Sequence, residues 1–168
     1  MKLIGFLLCI ALLQVLSGCG GGSNADAPPK IAYGRDECAE CGMIINDERY
    51  AAALRVIVGG RAQDLLFDDI GDMLDYEREH AGQVDVTRRY VHDFEERVWT
   101  SASDARFLRN ERYHTPMGSG IIAFAAEPAA EKRQASDGGR VKRIEAIAAD
   151  SAAAAAASAA ASNEGVHD

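Results

Sequence analysis

The chain has 168 residues, with 18 Lys and Arg against 26 Asp and Glu and a formal charge of −8. That balance disfavours nucleic acid, which repels negative charge at every phosphate, and suits a cation or a basic partner. The length allows one compact domain or two small related units.

Lys2 precedes an apolar run over 3–16 that ends in Leu16-Ser17-Gly18-Cys19. A membrane-spanning helix needs about 20 apolar residues, so this run is too short. A charged start, a short apolar centre and small residues at the end describe a secretory signal instead. A cysteine directly after Ser17-Gly18 marks 1–18 as a lipoprotein signal peptide, with Cys19 lipidated and becoming the first mature residue. Cleavage removes Cys9 and Lys2, making the chain one unit more negative, and lipidation caps Cys19. Only Cys38 and Cys41 remain as free thiols. Residues 19–30, with three glycines after Cys19 and Pro28-Pro29 near the end, read as a flexible tether. Gly20 rather than aspartate beside the lipidated cysteine favours outer-membrane sorting in a cell that has an outer membrane.

In the following segment, 50–58 is β-branched and apolar, Gly59-Gly60 interrupts it, and 61–67 resumes. Two such runs joined by Gly-Gly predict a hairpin. Asp68-Asp69 opens a helix with Ile70, Met73 and Leu74 on one face, stopping near His80 before Gly82. Val84, Val86 and 90–94 predict another strand. The order then recurs more faintly: a strand over 97–100, a short helix over 103–109, a strand over 120–126, a helix after Pro128 and a strand over 140–147. The expected class is α+β, with two small similar ββαβ-like units at about 31–83 and 84–146 forming one compact region. The Ala/Ser-rich stretch 147–168 offers helix propensity but little apolar surface to bury, so a frayed helix or a disordered tail is expected, with His167 playing no part.

The chemistry concentrates in Cys38-Ala39-Glu40-Cys41-Gly42-Met43, two thiols and a thioether within six positions. Soft sulfur donors select Cu(I) over harder divalent ions. Cys41 and Met43 flank a single glycine, and a turn there brings both sulfurs to one ion. Cys38 either joins them or forms a disulfide with Cys41 in an oxidising compartment. Met117, in Thr115-Pro116-Met117-Gly118, sits in a turn that exposes it; it either closes the site as a third sulfur or packs between the units. His114, three residues earlier, either adds an imidazole nitrogen or remains a surface histidine.

Other candidates have plainer roles. His80 lies at a helix end and His92 in a strand, both structural or solvated, while Met73 belongs to the apolar face of its helix. Asp68-Asp69 reads as a helix cap, and Asp36 and Glu37 either tune the thiols, offer an oxygen ligand or are exposed acids. Zinc is the main rival metal, but a structural zinc site normally needs a second ligand pair beside Cys38 and Cys41, and none is expected here. A thiol-disulfide protein is the alternative from another class, since C-x-x-C also suits thiol exchange. That chemistry wants the first cysteine at a helix N-terminus, whereas 42–47 leads towards a hairpin. A structural clasp in a partner-binding lipoprotein is the third reading.

Taken in order, Cys38-Ala39-Glu40-Cys41-Gly42-Met43-Ile44, then Phe67-Asp68-Asp69-Ile70-Gly71-Asp72-Met73-Leu74, Val98-Trp99, Ala105 and the run 115–124 resemble the NosL family. Its members are periplasmic, usually lipid-anchored copper-binding accessory proteins of nitrous oxide reductase. The resemblance implies Cu(I) binding, delivery to the copper-sulfide centre of that enzyme, and two ββαβ-like units similar to part of organomercurial lyase. It implies nitrous oxide reductase and its maturation machinery as partners, with the membrane reached through Cys19. A non-enzymatic metallochaperone is therefore expected, with a different copper enzyme as alternative client. Whether the chain works alone, as a dimer or as a heterodimer is left open.

Overall fold

The computed structural model describes residues 27–164, with side-chain exposure defined to residue 161. The expected signal peptide 1–18, Cys19, the first part of the tether and His167 lie outside the described residues.

Strands β1 (Ala52–Val58) and β2 (Arg61–Phe67) form the expected hairpin, in register from Val58 opposite Arg61 to Ala52 opposite Phe67. Gly59 and Gly60 both have positive φ, 58° and 77°, which is what a two-residue turn compatible with strand twist requires. Helix α1 (Ile70–Glu79) follows, capped by Asp69, whose carboxylate accepts from the Gly71 N–H at 2.7 Å. Ile70, Met73 and Leu74 are buried on its inner face, so Met73 is a core residue, as its spacing indicates. Strand β3 (Asp85–His92) returns antiparallel to β1, and β4 (Trp99–Ser101) adds to its outer edge, giving the order β2-β1-β3-β4.

The second sheet pairs β5 (Arg106–Arg109) with β6 (Ile121–Phe124), and a single antiparallel bridge from Phe107 to Lys142 flanks β5 on its other side. Helix α2 (Glu127–Asp137) lies between β6 and that bridge, and helix α3 (Ile144–Glu164) follows. Each half therefore has a central strand, a hairpin partner, a helix and an antiparallel return, the ββαβ plan. In the second half the return has shrunk to one bridge. The class is α+β. Strand β3, beyond residue 83, lies on the first sheet, and so does β4.

Two local expectations are corrected. Residues 103–109 hold strand β5 rather than a short helix, because the second sheet is covered on both faces. Phe107, Ile121 and Ala123 face the main core with Leu54, Phe67 and Ile70, while Leu108, Ile122 and Phe124 face a second cluster with Tyr50, Tyr113 and Ala130. A strand buried on both sides reads as a continuous apolar run without alternation, which sequence alone does not separate from a helix. Residues 140–147 are likewise not a strand. Ile144 and Ile147, three apart, dock as one helical face into the core, and the alanines beyond extend the helix with largely exposed side chains. The two sheets are stitched by Asp93: the Phe94 N–H donates to the Ala123 carbonyl at 2.8 Å, and the Ala125 N–H to Asp93 Oδ2 at 2.8 Å.

Candidate metal centre

The segment before β1 folds back on itself. Glu37 bridges Ile44, the Cys38 N–H donates to the Met43 carbonyl at 2.8 Å, and the Gly42 N–H to the Cys38 carbonyl at 3.0 Å. Gly42 makes this tight loop possible with φ 73°, a conformation a side chain would strain. The loop is fastened to β2 where the Ala39 N–H donates to the Leu66 carbonyl at 2.8 Å. Cys38 is thereby buried and Cys41 half-buried, both as free thiols rather than a disulfide.

Facing the loop is the junction of β2 and α1. The Cys38 thiol donates to Asp72 Oδ2 at 3.4 Å and the Cys41 thiol to Asp68 Oδ1 at 3.7 Å. The two sulfurs and one oxygen from each carboxylate all lie within 4.8 Å of one another. The Asp68-Asp69 pair thus divides its work. Asp69 caps the helix, while Asp68 turns to the thiols. The expectation that no second ligand pair exists is corrected: Asp68 and Asp72 stand beside the two thiols, brought there by folding rather than by spacing.

Burial pushes the Cys38 thiol well up, and Cys41 less far, so both are protonated at neutral pH. Burial also raises the Asp72 carboxyl, to about 6, with the charges of Asp68 and Asp69 adding to the effect. Thiols held in the S–H form are poor nucleophiles for disulfide exchange but serve as metal ligands once an ion displaces the protons.

The second half of the chain meets this site through Asp69. Its carboxylate accepts from the Thr115 hydroxyl at 2.6 Å, from the Met117 N–H at 3.0 Å and from the Ser119 hydroxyl, pinning the 115–119 loop over the start of α1. Met43 and Met117 are 46% and 45% exposed. Met43 lines an open cleft with Asp68 and Pro116, and Met117 lines another with Asp72 and the Ser151 side of α3. Each thioether thus shares a cavity with one carboxylate of the cluster, Met43 with Asp68 and Met117 with Asp72.

The remaining candidates stand apart. His114 is exposed on the chain leading into Thr115 and is not one of the four clustered residues. His80 stacks on Tyr76 with ring centroids 4.0 Å apart at the end of α1. His92 is buried, with centroid 3.8 Å from that of Trp99, and its Nδ1 donates to the Ala51 carbonyl at 3.2 Å. Asp36 accepts from the Ala32 N–H at 2.7 Å and so caps the preceding turn.

Comparison with known proteins places the chain in a family. The NosL family model matches residues 30–152. A copper-binding lipoprotein NosL of Stutzerimonas stutzeri is 29% identical over 153 residues, covering 85% of this chain and 79% of the relative. The crystal structure of the copper chaperone NosL from Shewanella denitrificans has a TM-score of 0.54 at 23% identity, covering 70% of this chain and 96% of that one, which establishes a shared fold.

Proposed function

The chain belongs to the NosL family, and from that premise we propose that it is a lipid-anchored periplasmic chaperone that carries Cu(I) to the copper-sulfide centre of nitrous oxide reductase. The observation that supports it most directly is a pair of free thiols on one loop with the half-exposed thioether of Met43 two residues beyond Cys41. Such donors suit a soft monovalent ion, and partial exposure suits an ion that must leave again.

In this reading Cys41 and Met43 are the first ligands, Cys38 joins from the buried side and Met117 approaches from the second half. His114, on the same loop as Met117, is the remaining donor. The protein performs no chemical conversion. It hands the ion over by ligand exchange, with one intermediate shared between its own sulfurs and those of the acceptor. Nitrous oxide reductase and its maturation machinery are the acceptors, and Cys19 supplies the membrane anchor. The raised thiols favour this reading over thiol-disulfide exchange, which needs an activated thiolate.

Reconstitution tests it. Apo-nitrous oxide reductase, its maturation machinery and the copper-loaded chain are expected to yield an active centre. Equal activity from Cys41→Ser counts against delivery through this site, and activation of a different copper enzyme alone counts against this client. Palmitate labelling that persists in Cys19→Ser removes the anchor from the reading.

A further inference from the structure

We propose that the cleft between the end of β5 and the chain leading into α3, lined by Arg109, Arg140 and Lys142, docks the domain on anionic phospholipid headgroups of the membrane that carries it. The proposal rests on the lipid anchor of the preceding reading and deepens it by fixing which face the anchored domain turns to the bilayer.

Charge is segregated along the chain. Residues 106–143 hold eight Lys and Arg against four Asp and Glu, a local charge of +4, whereas 27–101 hold nine against sixteen, a local charge of −7. Folding gathers part of the positive set in one place. The bridge from Phe107 to Lys142 is antiparallel, so its register, continued by two residues, brings Arg140 opposite Arg109. Gly139, at φ 91°, makes the approach close, since a Cβ there would stand 3.3 Å from the Arg109 carbonyl oxygen. Arg109, Gly139, Arg140, Lys142 and Asp150 line one cleft of about 350 Å³.

The acids nearby are already engaged. Asp150 pairs with Lys142, Asp137 with Arg133 and Glu127 with Arg106, while Asp75, in the neighbouring cleft, pairs with Arg78. Among the described residues no ion pair reaches Arg109 or Arg140, and both are exposed. Two guanidinium groups held together without a carboxylate repel each other. Phosphate oxygens, which accept a guanidinium in bidentate fashion, relieve that repulsion.

Proximity favours headgroups as the source of phosphate. Eight residues separate Cys19 from Ala27, a reach of at most about 29 Å when fully extended, so the anchored domain cannot leave the surface. The headgroups therefore face it at a high effective concentration. Each Lys or Arg near an anionic surface is worth roughly fivefold in partitioning. The same surface repels 27–101, the half that carries the thiol loop, and turns it outward. Arg109 also borders the Met117 cleft, whereas none of the three cations lines the Met43 cleft, so lipid contact leaves the Met43 side open.

The test uses the mature anchored chain in lipid nanodiscs, of phosphatidylcholine alone or with a third of phosphatidylglycerol. Backbone hydrogen exchange at 106–112 and 138–143 is expected to slow by about 3-fold or more in the anionic discs at low salt. The difference is expected to fade in molar salt, where the screening length falls to about 3 Å. The Arg109→Gln, Arg140→Gln double variant is expected to abolish the slowing, with exchange in β1 and β3 as in the wild type. Equal exchange in the two kinds of disc overturns the proposal, whether or not inorganic phosphate slows exchange in the neutral ones. Slowing that rises with the number of chains per disc makes a second copy the occupant and overturns it equally. Failure of the anchor shows separately, as a chain that leaves neutral discs.

Discussion

Asp69 Oδ2 accepts the Thr115 hydroxyl at 2.6 Å across 46 residues of chain, and the same carboxylate caps helix α1. One side chain therefore sets both the start of the helix that presents Asp72 and the position of the loop that carries Met117. Asp69→Ala removes a helix cap worth about 1 kcal/mol and strands the buried Thr115 hydroxyl at about 1–3 kcal/mol, so a loss of roughly 2 kcal/mol or more is expected. The urea midpoint measures it. A loss below about 1 kcal/mol contradicts the coupling, since a cap alone accounts for that much.

Gly71 gives a test whose sign runs against habit. Replacing a helical glycine with alanine ordinarily stabilises by about 0.5–1 kcal/mol. Here the added Cβ meets the Ser119 Cβ at 2.5 Å, so the 115–119 loop has to move. Overpacking of this kind costs about 1–3 kcal/mol and outweighs the propensity gain. Gly71→Ala is expected to lower the thermal midpoint and weaken Cu(I) binding together; an increase in both shows that the loop is not seated as described.

Copper affinity itself separates the ligands. In an anaerobic competition titration of the reduced chain, Cys41→Ser and Met43→Ala are expected to weaken Cu(I) binding most. Met117→Ala reports whether the second half closes the site. Loading at neutral pH is expected to release protons, because burial keeps both thiols in the S–H form in the empty site. Binding without proton uptake by the buffer removes the thiols from the ligand set.

His92 makes stability depend on pH. Burial lowers its folded-state value below the ordinary 6.5, so between those two values the unfolded chain binds the extra proton and the folded chain does not. Its contribution is full above about pH 6.5 and declines as pH falls towards the lowered value. Asp72 acts oppositely: with its carboxyl raised from 3.8 to about 6, the folded chain holds the extra proton in that interval and gains stability as pH falls. The His92 component is therefore read as the difference between wild type and His92→Phe in urea midpoints at pH 7 and pH 5. A difference independent of pH sinks the assignment.

Helix α3 is most deeply buried at its base, where Ile144 and Ile147 enter the core. Ile147 is fully buried, and Ile147→Ala is expected to cost about 2–5 kcal/mol. Ala157 is exposed on the same helix, and Ala157→Ser is expected to stay within about 0.5 kcal/mol. Similar effects from the two substitutions, measured by thermal unfolding, mean that the helix docks along its length.

Features whose cause lies within a few residues are legible along the chain. The Gly59-Gly60 hairpin, the Asp69 cap, the Ile70-Met73-Leu74 face and the sulfur-rich loop around Gly42 each follow from turn geometry, capping or periodicity. Strand β5 reads as helix, and the base of α3 as strand, because both are short apolar segments whose state depends on which faces their neighbours cover. The local sequence of 103–109 contains no record of α2 lying on one side and the base of α3 on the other.

The local conformations and the chemical stock of the site, two thiols and a soft thioether within six positions, are written in the sequence. The company those sulfurs keep comes from tertiary packing: Asp72 against Cys38 from 34 positions away, Asp68 against Cys41 from 27, and Asp69 drawing in the Met117 loop from 48. Such contacts depend on how two sheets and a helix pack. Packing is a property of summed buried surface, and no short spacing along the chain encodes it.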